Sequence, residues 1–270
     1  MISIKNWVAD FNQNTSKMPV LFVGHGNPMN AIEDNQYTRA WKLIGLNMEK
    51  PKAILVVSAH WLTRGTFVTG MLKPRTIHDF GGFPDRLFAV QYPAPGSPEL
   101  AEEIKQQIKL AQIKLDHEWG LDHGTWSVLA QMFPMADIPV FQLSIDYTKP
   151  TSWHYELAKE LAFLRNKGVL LMGSGNVVHN LRLADFHGGL PYDWASEFDV
   201  KVKGLLIEGN HQSLIEFEKL GKEALLSIPT TEHYLPLLYT TGLQQIGEDI
   251  SFPVEGMDLK SISMRTVLFN

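Results

Sequence analysis

The sequence predicts a single α/β domain over residues 1–270, with a central, mostly parallel or mixed sheet flanked by helices. Three observations lead to this fold class. Short apolar runs recur along the chain, segments with helical periodicity separate them, and no repeat, linker or shift in composition marks a domain boundary. An α/β chain of this size often forms one unit that buries about three quarters of the surface of the unfolded chain.

Four brief apolar runs are predicted to be buried strands, because several of them are flanked by Gly or Pro and none is long enough for a typical helix. These runs are Val20–Val23, Ala53–Ser58, Pro139–Ser144 and Val169–Met172. A further strand, Ile262–Phe269, is predicted to close the sheet.

Between these runs, apolar residues recur at three- and four-residue spacing, which indicates amphipathic helices. The predicted helices are Ile32–Met48, Pro98–Leu110, Thr125–Phe133, Trp153–Arg165 and a long helical region from about Tyr192 to Leu226. Ser97 is predicted to cap the helix that begins at Pro98, because a Ser side chain accepts hydrogen bonds from free amides. The segment Thr76–Gly96 is rich in Gly, Pro and aromatic residues and is predicted to be an ordered loop.

The composition excludes several classes of function. The chain has 24 basic and 29 acidic residues, a formal charge of −5 and no Lys/Arg cluster, so a nucleic-acid partner is not expected. It has no cysteine, which excludes disulfides, thiolate metal sites and a cysteine nucleophile. The N-terminal segment has no signal-peptide pattern and no run reaches the ~20 apolar residues of a membrane span, so we expect a cytoplasmic protein without a membrane partner.

Three of the ten histidines come directly after predicted strands. They are His25 in GHGNP, His60 in SAHW and His179 in GSGNVVHN. Ligands of open α/β sheets bind beyond the carboxyl ends of the strands, so we expect these imidazoles to converge there. A cluster of imidazoles without thiolates is typical of a catalytic rather than a structural metal site.

Other candidates are less specific. His123 and His233 lie at predicted helix starts and extend the imidazole set. Asp122 either orients an imidazole or caps a helix, and His78 either lines a pocket or packs against Phe80. Any single histidine at a strand end can also be a hydrogen-bonded structural residue. Ser174 is predicted to be a turn residue rather than a nucleophile, and the remaining histidines are predicted to lie at the surface: His117, His154, His187 and His211.

Seven motifs in fixed order give the chain a full-length resemblance to a known family. They are GHGNPMNAI at 24–32, SAHW at 58–61, TIHDFGGFP at 76–84, QYPAPGSPEL at 91–100, LDHGTWSVL at 121–129, GSGNVVHNL at 173–181 and EHYLPLLY at 232–239. With these motifs the sequence resembles the 4,5-DOPA extradiol dioxygenase family, a branch of the class III ring-cleaving enzymes similar to protocatechuate 4,5-dioxygenase. The resemblance implies a catechol substrate, either DOPA-like or another substituted catechol, together with O2 and one divalent metal per chain, either Fe(II) for activity or Zn(II) as bound.

The resemblance also implies roles for individual residues. It places His25, His60 and His233 on the metal, with His179 as a fourth ligand or as the catalytic acid/base. It places His123 over the substrate. The motif containing His78, Asp79 and Phe80 is assigned to substrate binding.

The third ligand position is a departure from related class III enzymes, which use two His and one carboxylate. Here that position is His233, with Glu232 beside it. Residues 230–233 are predicted to begin a helix, in which adjacent side chains point about 100° apart, so Glu232 and His233 are not expected to face the same ion. A zinc hydrolase and a non-enzymatic metal-binding protein remain alternatives, and the sequence leaves formation of a homo-oligomer open.

Overall fold

Eight strands form one mixed sheet in the computed structural model, which describes residues 17–270. In chain order they are β1 (Val20–Gly24), β2 (Ala53–Thr63), β3 (Thr66–Thr69), β4 (Ile113–Asp116), β5 (Val140–Asp146), β6 (Val169–Gly175), β7 (Ile250–Val254) and β10 (Thr266–Phe269). Their order across the sheet is β4-β3-β5-β2-β6-β1-β10-β7. Two further strands, β8 (Met257–Asp258) and β9 (Ile262–Ser263), form a separate small hairpin between β7 and β10 in the chain. The expectation about a signal peptide concerns a segment that lies mostly outside the described residues.

Helices cover both faces of this sheet. They are α1 (Gln36–Asn47), α2 (Asp85–Phe88), α3 (Pro98–Gln107), α4 (His123–Met132), α5 (Thr151–Glu160), α6 (Asp193–Ile207), α7 (His211–Ile215), α8 (Lys222–Ser227) and α9 (Leu235–Gly242). Within residues 17–270, no helix is both long and apolar enough to cross a membrane.

The four central strands β5, β2, β6 and β1 run parallel to one another. The antiparallel pairs are β3 with β5, β1 with β10, and β10 with β7. The buried hydrophobic side chains form two clusters. Side chains of β1 alternate between them, with Val20 and Phe22 in one and Leu21 and Val23 in the other. This alternation explains the uninterrupted apolar run, because a strand covered by helices on both sides buries every side chain. The predicted α/β class with a mixed sheet is confirmed.

Three predicted elements differ from the structure. The helical region from Tyr192 to Leu226 is divided into α6, α7 and α8. Gly209 adopts a positive φ angle just after α6, and Gly221 adopts one directly before α8. The closing strand is divided into β9 and β10. Helix α3 begins at Pro98 as predicted, but Ser97 is fully buried and its hydroxyl does not cap the helix.

His154 is buried, so its predicted surface position is wrong. It lies on α5, and its Nδ1 is 2.9 Å from the hydroxyl of Tyr239 on α9. The helical pattern did not reveal this contact, because it depends on how α5 packs against α9. His117 and His187 are exposed as predicted, whereas His211 is half-buried and contacts Tyr155 and Gln244.

The burial of His154 has a consequence for stability in acid. Burial lowers the pKa of His154 from 6.5 to about 4, so below pH 6.5 the unfolded chain binds a proton that the folded chain does not. Stability is therefore lost as the pH falls from 6.5 towards 4. Between pH 7 and pH 5, we expect the free energy of unfolding of His154→Gln to fall by about 2 kcal/mol less than that of the wild type. Urea unfolding at both pH values measures this, with His187→Gln as the exposed control, and equal losses in all three proteins would contradict it.

Candidate metal centre and substrate cavity

Neighbouring strands place the first imidazoles of the site. Strands β2, β6 and β1 lie side by side and run parallel, so their carboxyl ends share one edge of the sheet. His25 follows β1 directly, and His179 lies four residues beyond β6. The backbone N–H of His25 donates to the carbonyl of Gly175, which fixes the two segments to each other. The predicted convergence at the strand ends is present.

His60 lies within β2 rather than beyond it. The strand was predicted to end at Ser58 but continues to Thr63. Its register against β5 shifts between Val57, which pairs with Leu143, and Leu62, which pairs with Ile145. Such irregularities in a strand commonly redirect a side chain next to an active site, and this one lies at His60.

The amino end of α4 brings His123 to the same place. Asp122 is its N-cap, with a carboxylate that accepts from the amide of Thr125, the hydroxyl of Ser58 and the amide of Gln142. Burial and the charge of Asp79 raise the pKa of Asp122. Asp122 thus caps the helix and ties it to β2 and β5, and of the two roles considered for it these contacts support helix capping.

His233 reaches the site from a turn, not from the predicted helix start. Helix α9 begins only at Leu235, and the carbonyl of His233 accepts from the amide of Asn176 at 2.8 Å. A side chain at Gly175 would clash with this same carbonyl. The glycines of the 173–175 motif therefore let the backbone before α9 pack directly on β6.

The three imidazoles of the predicted ligand set each have Nδ1 next to an oxygen, a feature that His123 also shows. The oxygens are Ser174 Oγ for His25 at 3.1 Å, Asp79 Oδ2 for His60 at 3.3 Å and Glu232 Oε1 for His233 at 3.3 Å. The Ser174 hydroxyl itself donates to the carbonyl of Gly124. It must therefore accept from His25 Nδ1–H. A proton on Nδ1 leaves the Nε2 lone pair free, which is the tautomer that a metal ligand requires.

The spacing of these three rings comes close to that of ligands of one ion, with the His25–His233 distance slightly longer than that geometry gives. Ring centroids are 5.0 Å apart for His25 and His60, 5.4 Å for His25 and His233, and 5.1 Å for His60 and His233. Imidazoles bound at about 2.1 Å with angles of 90–109° would have centroids about 4.5–5.2 Å apart and nitrogens about 3.0–3.4 Å apart. The Nε2 atoms of His25 and His60 are 3.1 Å apart.

His179 does not fit the same ion as His233. Their rings stack with centroids 3.4 Å apart and planes 7° from parallel. An imidazole ligates through a lone pair in its own ring plane, so two stacked parallel rings cannot both direct that lone pair at one point. This geometry favours the acid/base alternative for His179 over a fourth ligand.

The distances between possible metal-ligand atoms group the side chains differently from the ring spacing. The ligand atoms of His25, His60 and His123 lie within 4.8 Å of one another, and so do those of His179, Glu232 and His233. We prefer the set with His233 to the set with His123, because the centroids of His60 and His123 are only 3.9 Å apart, closer than two ligands of one ion allow. Like the Nδ1 atoms of the ligand set, His123 Nδ1 lies beside an oxygen, 3.0 Å from Asp79 Oδ1, so this contact does not separate the two sets and the ring spacing does.

The three residues assigned to substrate binding have different surroundings. Asp79 contacts both His60 and His123 and also lines the cavity. Phe80 lines the cavity and packs edge-on against His123 with centroids 5.5 Å apart. His78 is not among the lining residues, because its Nε2 bonds to the carbonyl of Val90 and its ring packs against Phe80. His78 therefore packs against Phe80 and does not itself line the cavity.

Burial keeps four of the five imidazoles neutral near pH 7. Burial, followed by the charges of neighbouring imidazoles, lowers the pKa of His25 and His233 well below the ordinary value. Burial lowers the pKa of His60 to about 3 and that of His179 to about 4. Burial alone would raise the pKa of Asp79, but hydrogen bonding to His123 and the charges of His123 and His60 lower it. The site thus offers neutral nitrogen donors beside one carboxylate.

A cavity of about 600 Å³ opens over the imidazoles. Its lining includes all five of them, together with wall residues that the sequence did not single out as site residues: Asn27, Phe83, Leu181, Phe186, Leu259 and Ile262. Leu181 and Phe186 come from the segment after His179, and Leu259 and Ile262 come from the β8–β9 hairpin. No periodicity marks these residues, because they lie in loops and in a short hairpin that meet only in the folded chain.

Comparison with known proteins identifies the family of this chain. Residues 19–251 match the family described as the catalytic LigB subunit of aromatic ring-opening dioxygenase. The chain belongs to this family. The predicted family and the predicted ring-opening dioxygenase class are confirmed.

Named relatives of this dioxygenase family cover most of the chain. A 4,5-DOPA dioxygenase extradiol of Escherichia coli K12 is 51% identical over 264 residues, which are 96% of this chain and 97% of the relative. A 4,5-DOPA dioxygenase extradiol of Beta vulgaris is 39% identical over 230 residues, which are 82% of this chain and 85% of the relative. The crystal structure of an uncharacterized Escherichia coli K12 protein superposes with a TM-score of 0.83 at 46% identity, covering 94% of this chain and 100% of that chain.

Proposed function

We propose that the protein opens a catechol ring with O2 by extradiol cleavage and that His25, His60 and His233 hold one divalent metal. The observation that carries this proposal is the shared arrangement of the three imidazoles. Each has Nδ1 beside an oxygen, and their centroids lie 5.0–5.4 Å apart. Fe(II) held by these three residues would supply the Lewis-acid and oxygen-activating chemistry that ring cleavage needs.

The other residues move protons and position the ring. His179 is neutral at pH 7, so its ring can accept a phenolic proton and return it later in the reaction. His123 lies beside the ligands in the cavity wall, where its ring can hydrogen-bond to a substrate oxygen. Phe80 offers an aromatic edge or face for the catechol ring.

Oxygen consumption tests the proposal. Chain reconstituted anaerobically with Fe(II), and in parallel with Zn(II), is mixed with a panel of catechols in an oxygen electrode. We expect the Fe(II) form to consume one O2 per catechol and to give a yellow ring-opened semialdehyde, and methylation of either hydroxyl should abolish turnover. Oxygen-independent hydrolysis by the Zn(II) form would instead support a zinc hydrolase. Metal binding without any turnover would support a binding protein.

Asp79 provides a separate test of how the site is held. Because its carboxylate contacts His60 and His123, we expect Asp79→Asn to weaken metal affinity about 10–100-fold, the usual effect of losing a carboxylate behind a ligand. Competition with a chromophoric zinc chelator measures this, with Asp85→Asn, an exposed carboxylate at the start of α2, as control. Unchanged metal affinity with a raised KM would assign Asp79 to substrate contact alone.

A further inference from the structure

The β8–β9 hairpin is joined by backbone bonds to the segment that carries His179. An antiparallel bridge pairs His179 with Ile262 of β9, and the amide of Ser263 donates to the carbonyl of Val178 at 2.9 Å. His179 and Ile262 both line the cavity. The proposed acid/base and the hairpin therefore form one hydrogen-bonded unit at the cavity wall.

The turn between β8 and β9 has an unfavourable backbone for its sequence. The amide of Ser261 donates to the carbonyl of Asp258 at 3.2 Å, which closes a four-residue turn. Its two central residues, Leu259 and Lys260, have φ angles of 47° and 63°. Positive φ angles at both central positions suit Gly, Asn or Asp, whereas the side chains of Leu and Lys are strained there. Strain of this kind persists only where surrounding contacts enforce it, and it is common where a protein contacts its ligand.

Contacts with the segment after His179 hold the turn in this conformation. The amide of Asp185 donates to the carbonyl of Leu259 at 3.0 Å, and the amide of Tyr192 donates to the carbonyl of Lys260 at 3.2 Å. The Lys260 ammonium also lies 2.6 Å from Asp185 Oδ2. The backbone of both central residues is thus fixed from outside the turn, and the ion pair gives the Lys260 side chain a structural role.

The side chain of Leu259 points to a different role. It lines the cavity together with His179 and Ile262, whereas Lys260 is not among the lining residues. Leu259 is only partly buried against the hydrophobic cluster that contains Leu21, so the folded chain leaves some of its surface accessible. A molecule bound in the cavity can cover this remaining apolar surface.

We propose that Leu259 is a specificity-determining residue, whose strained backbone holds its side chain against the ring substituent of a catechol bound at the imidazoles. This inference rests on the proposed function of the same site. The contact involves the substituent carbons nearest the ring, whatever group the substituent ends in. It stabilises them in proportion to the apolar surface that they bury.

A thermodynamic cycle tests this contact. Anaerobic calorimetry with the Zn(II) form gives Kd values of catechol and 4-propylcatechol for the wild type and for Leu259→Ala. Because only the propyl compound carries substituent carbons, we expect Leu259→Ala to weaken its binding at least about fivefold more than that of catechol. Oxygen uptake by the Fe(II) form should show the same difference in kcat/KM. Equal weakening of both compounds, or tighter binding of the propyl compound, would assign Leu259 to the fold alone and overturn the inference.

Two further variants separate the side chain of Leu259 from its backbone. Lys260→Ala truncates the neighbouring residue of the same turn, and it should leave the ratio of the two Kd values unchanged because Lys260 does not line the cavity. Leu259→Gly removes the same side chain as Leu259→Ala but tolerates a positive φ angle. We expect it to change the ratio equally and to melt about 2–4 °C higher than Leu259→Ala.

These controls can also contradict the inference. A changed ratio in Lys260→Ala would assign the effect to the turn as a whole and not to the Leu259 side chain. A melting temperature of Leu259→Gly at or below that of Leu259→Ala would show that no strained backbone holds this side chain.

Calorimetry and oxygen uptake separate this inference from the proposed function. A selective loss of 4-propylcatechol binding in Leu259→Ala, without oxygen uptake by the wild type, would refute the dioxygenase proposal and keep the contact. Oxygen uptake with equal weakening of both compounds would do the reverse. A chain that bound neither compound would overturn both.

Discussion

His233→Ala is expected to abolish both metal binding and turnover, whereas Glu232→Gln should keep the metal and much of the activity. The His233 ring completes a triangle with His25 and His60, and removing one of three ligands leaves a site that cannot hold an ion tightly. Glu232 contributes only an oxygen beside His233 Nδ1 and also accepts from the Thr230 hydroxyl at 2.7 Å. Gln retains such an oxygen. Elemental analysis after dialysis, with oxygen uptake on the same samples, measures both effects.

His123→Ala is the matched control for this experiment, because His123 belongs to the alternative group of donor atoms. It should retain the metal. If Glu232→Gln or His123→Ala emptied the site while His233→Ala stayed loaded, the ligand set would be wrong at that position. Thermal unfolding of each variant in the metal-free state separates loss of a ligand from loss of the fold.

His179→Gln is expected to retain the metal and lose roughly 10²–10⁴-fold in kcat, the usual effect of a missing acid/base. The expectation follows from the parallel stack of His179 on His233, which keeps the lone pair of His179 away from an ion held by His233. Metal content and kcat measured on one preparation decide between the two roles. Metal loss as complete as in His233→Ala would instead identify His179 as a ligand.

Most of the sheet could be predicted from the sequence because its central strands are buried on both faces. Their apolar runs have no competing interpretation once Gly and Pro limit their length, and the four predicted central strands coincide with β1, β2, β5 and β6 except at their ends. The same physics makes the position of His25 and His179 predictable. A side chain just beyond a parallel strand shares its edge of the sheet with its neighbours.

Other features depend on contacts between distant segments, and local sequence carries little signal for them. The β2 irregularity at His60 arises from its pairing with β5. The turn that holds His233 exists because β6 presents glycines to it, so the helical pattern of residues 230–239 misplaced the helix start. Asp79 was assigned to substrate binding by the resemblance, but its contacts with two imidazoles appear only in the folded chain.

The seating of α9 on the glycines of β6 has a thermodynamic consequence. His233 reaches the spacing of a ligand only when β1, β2, β6 and the turn before α9 are all in place. An ion held by these imidazoles therefore favours the complete sheet over every partly unfolded form, by about 2.7 kcal/mol when its free concentration is 100 times Kd. Removing the ion with a chelator would therefore lower the melting temperature of the whole domain, and the effect would not be confined to the residues around the cavity.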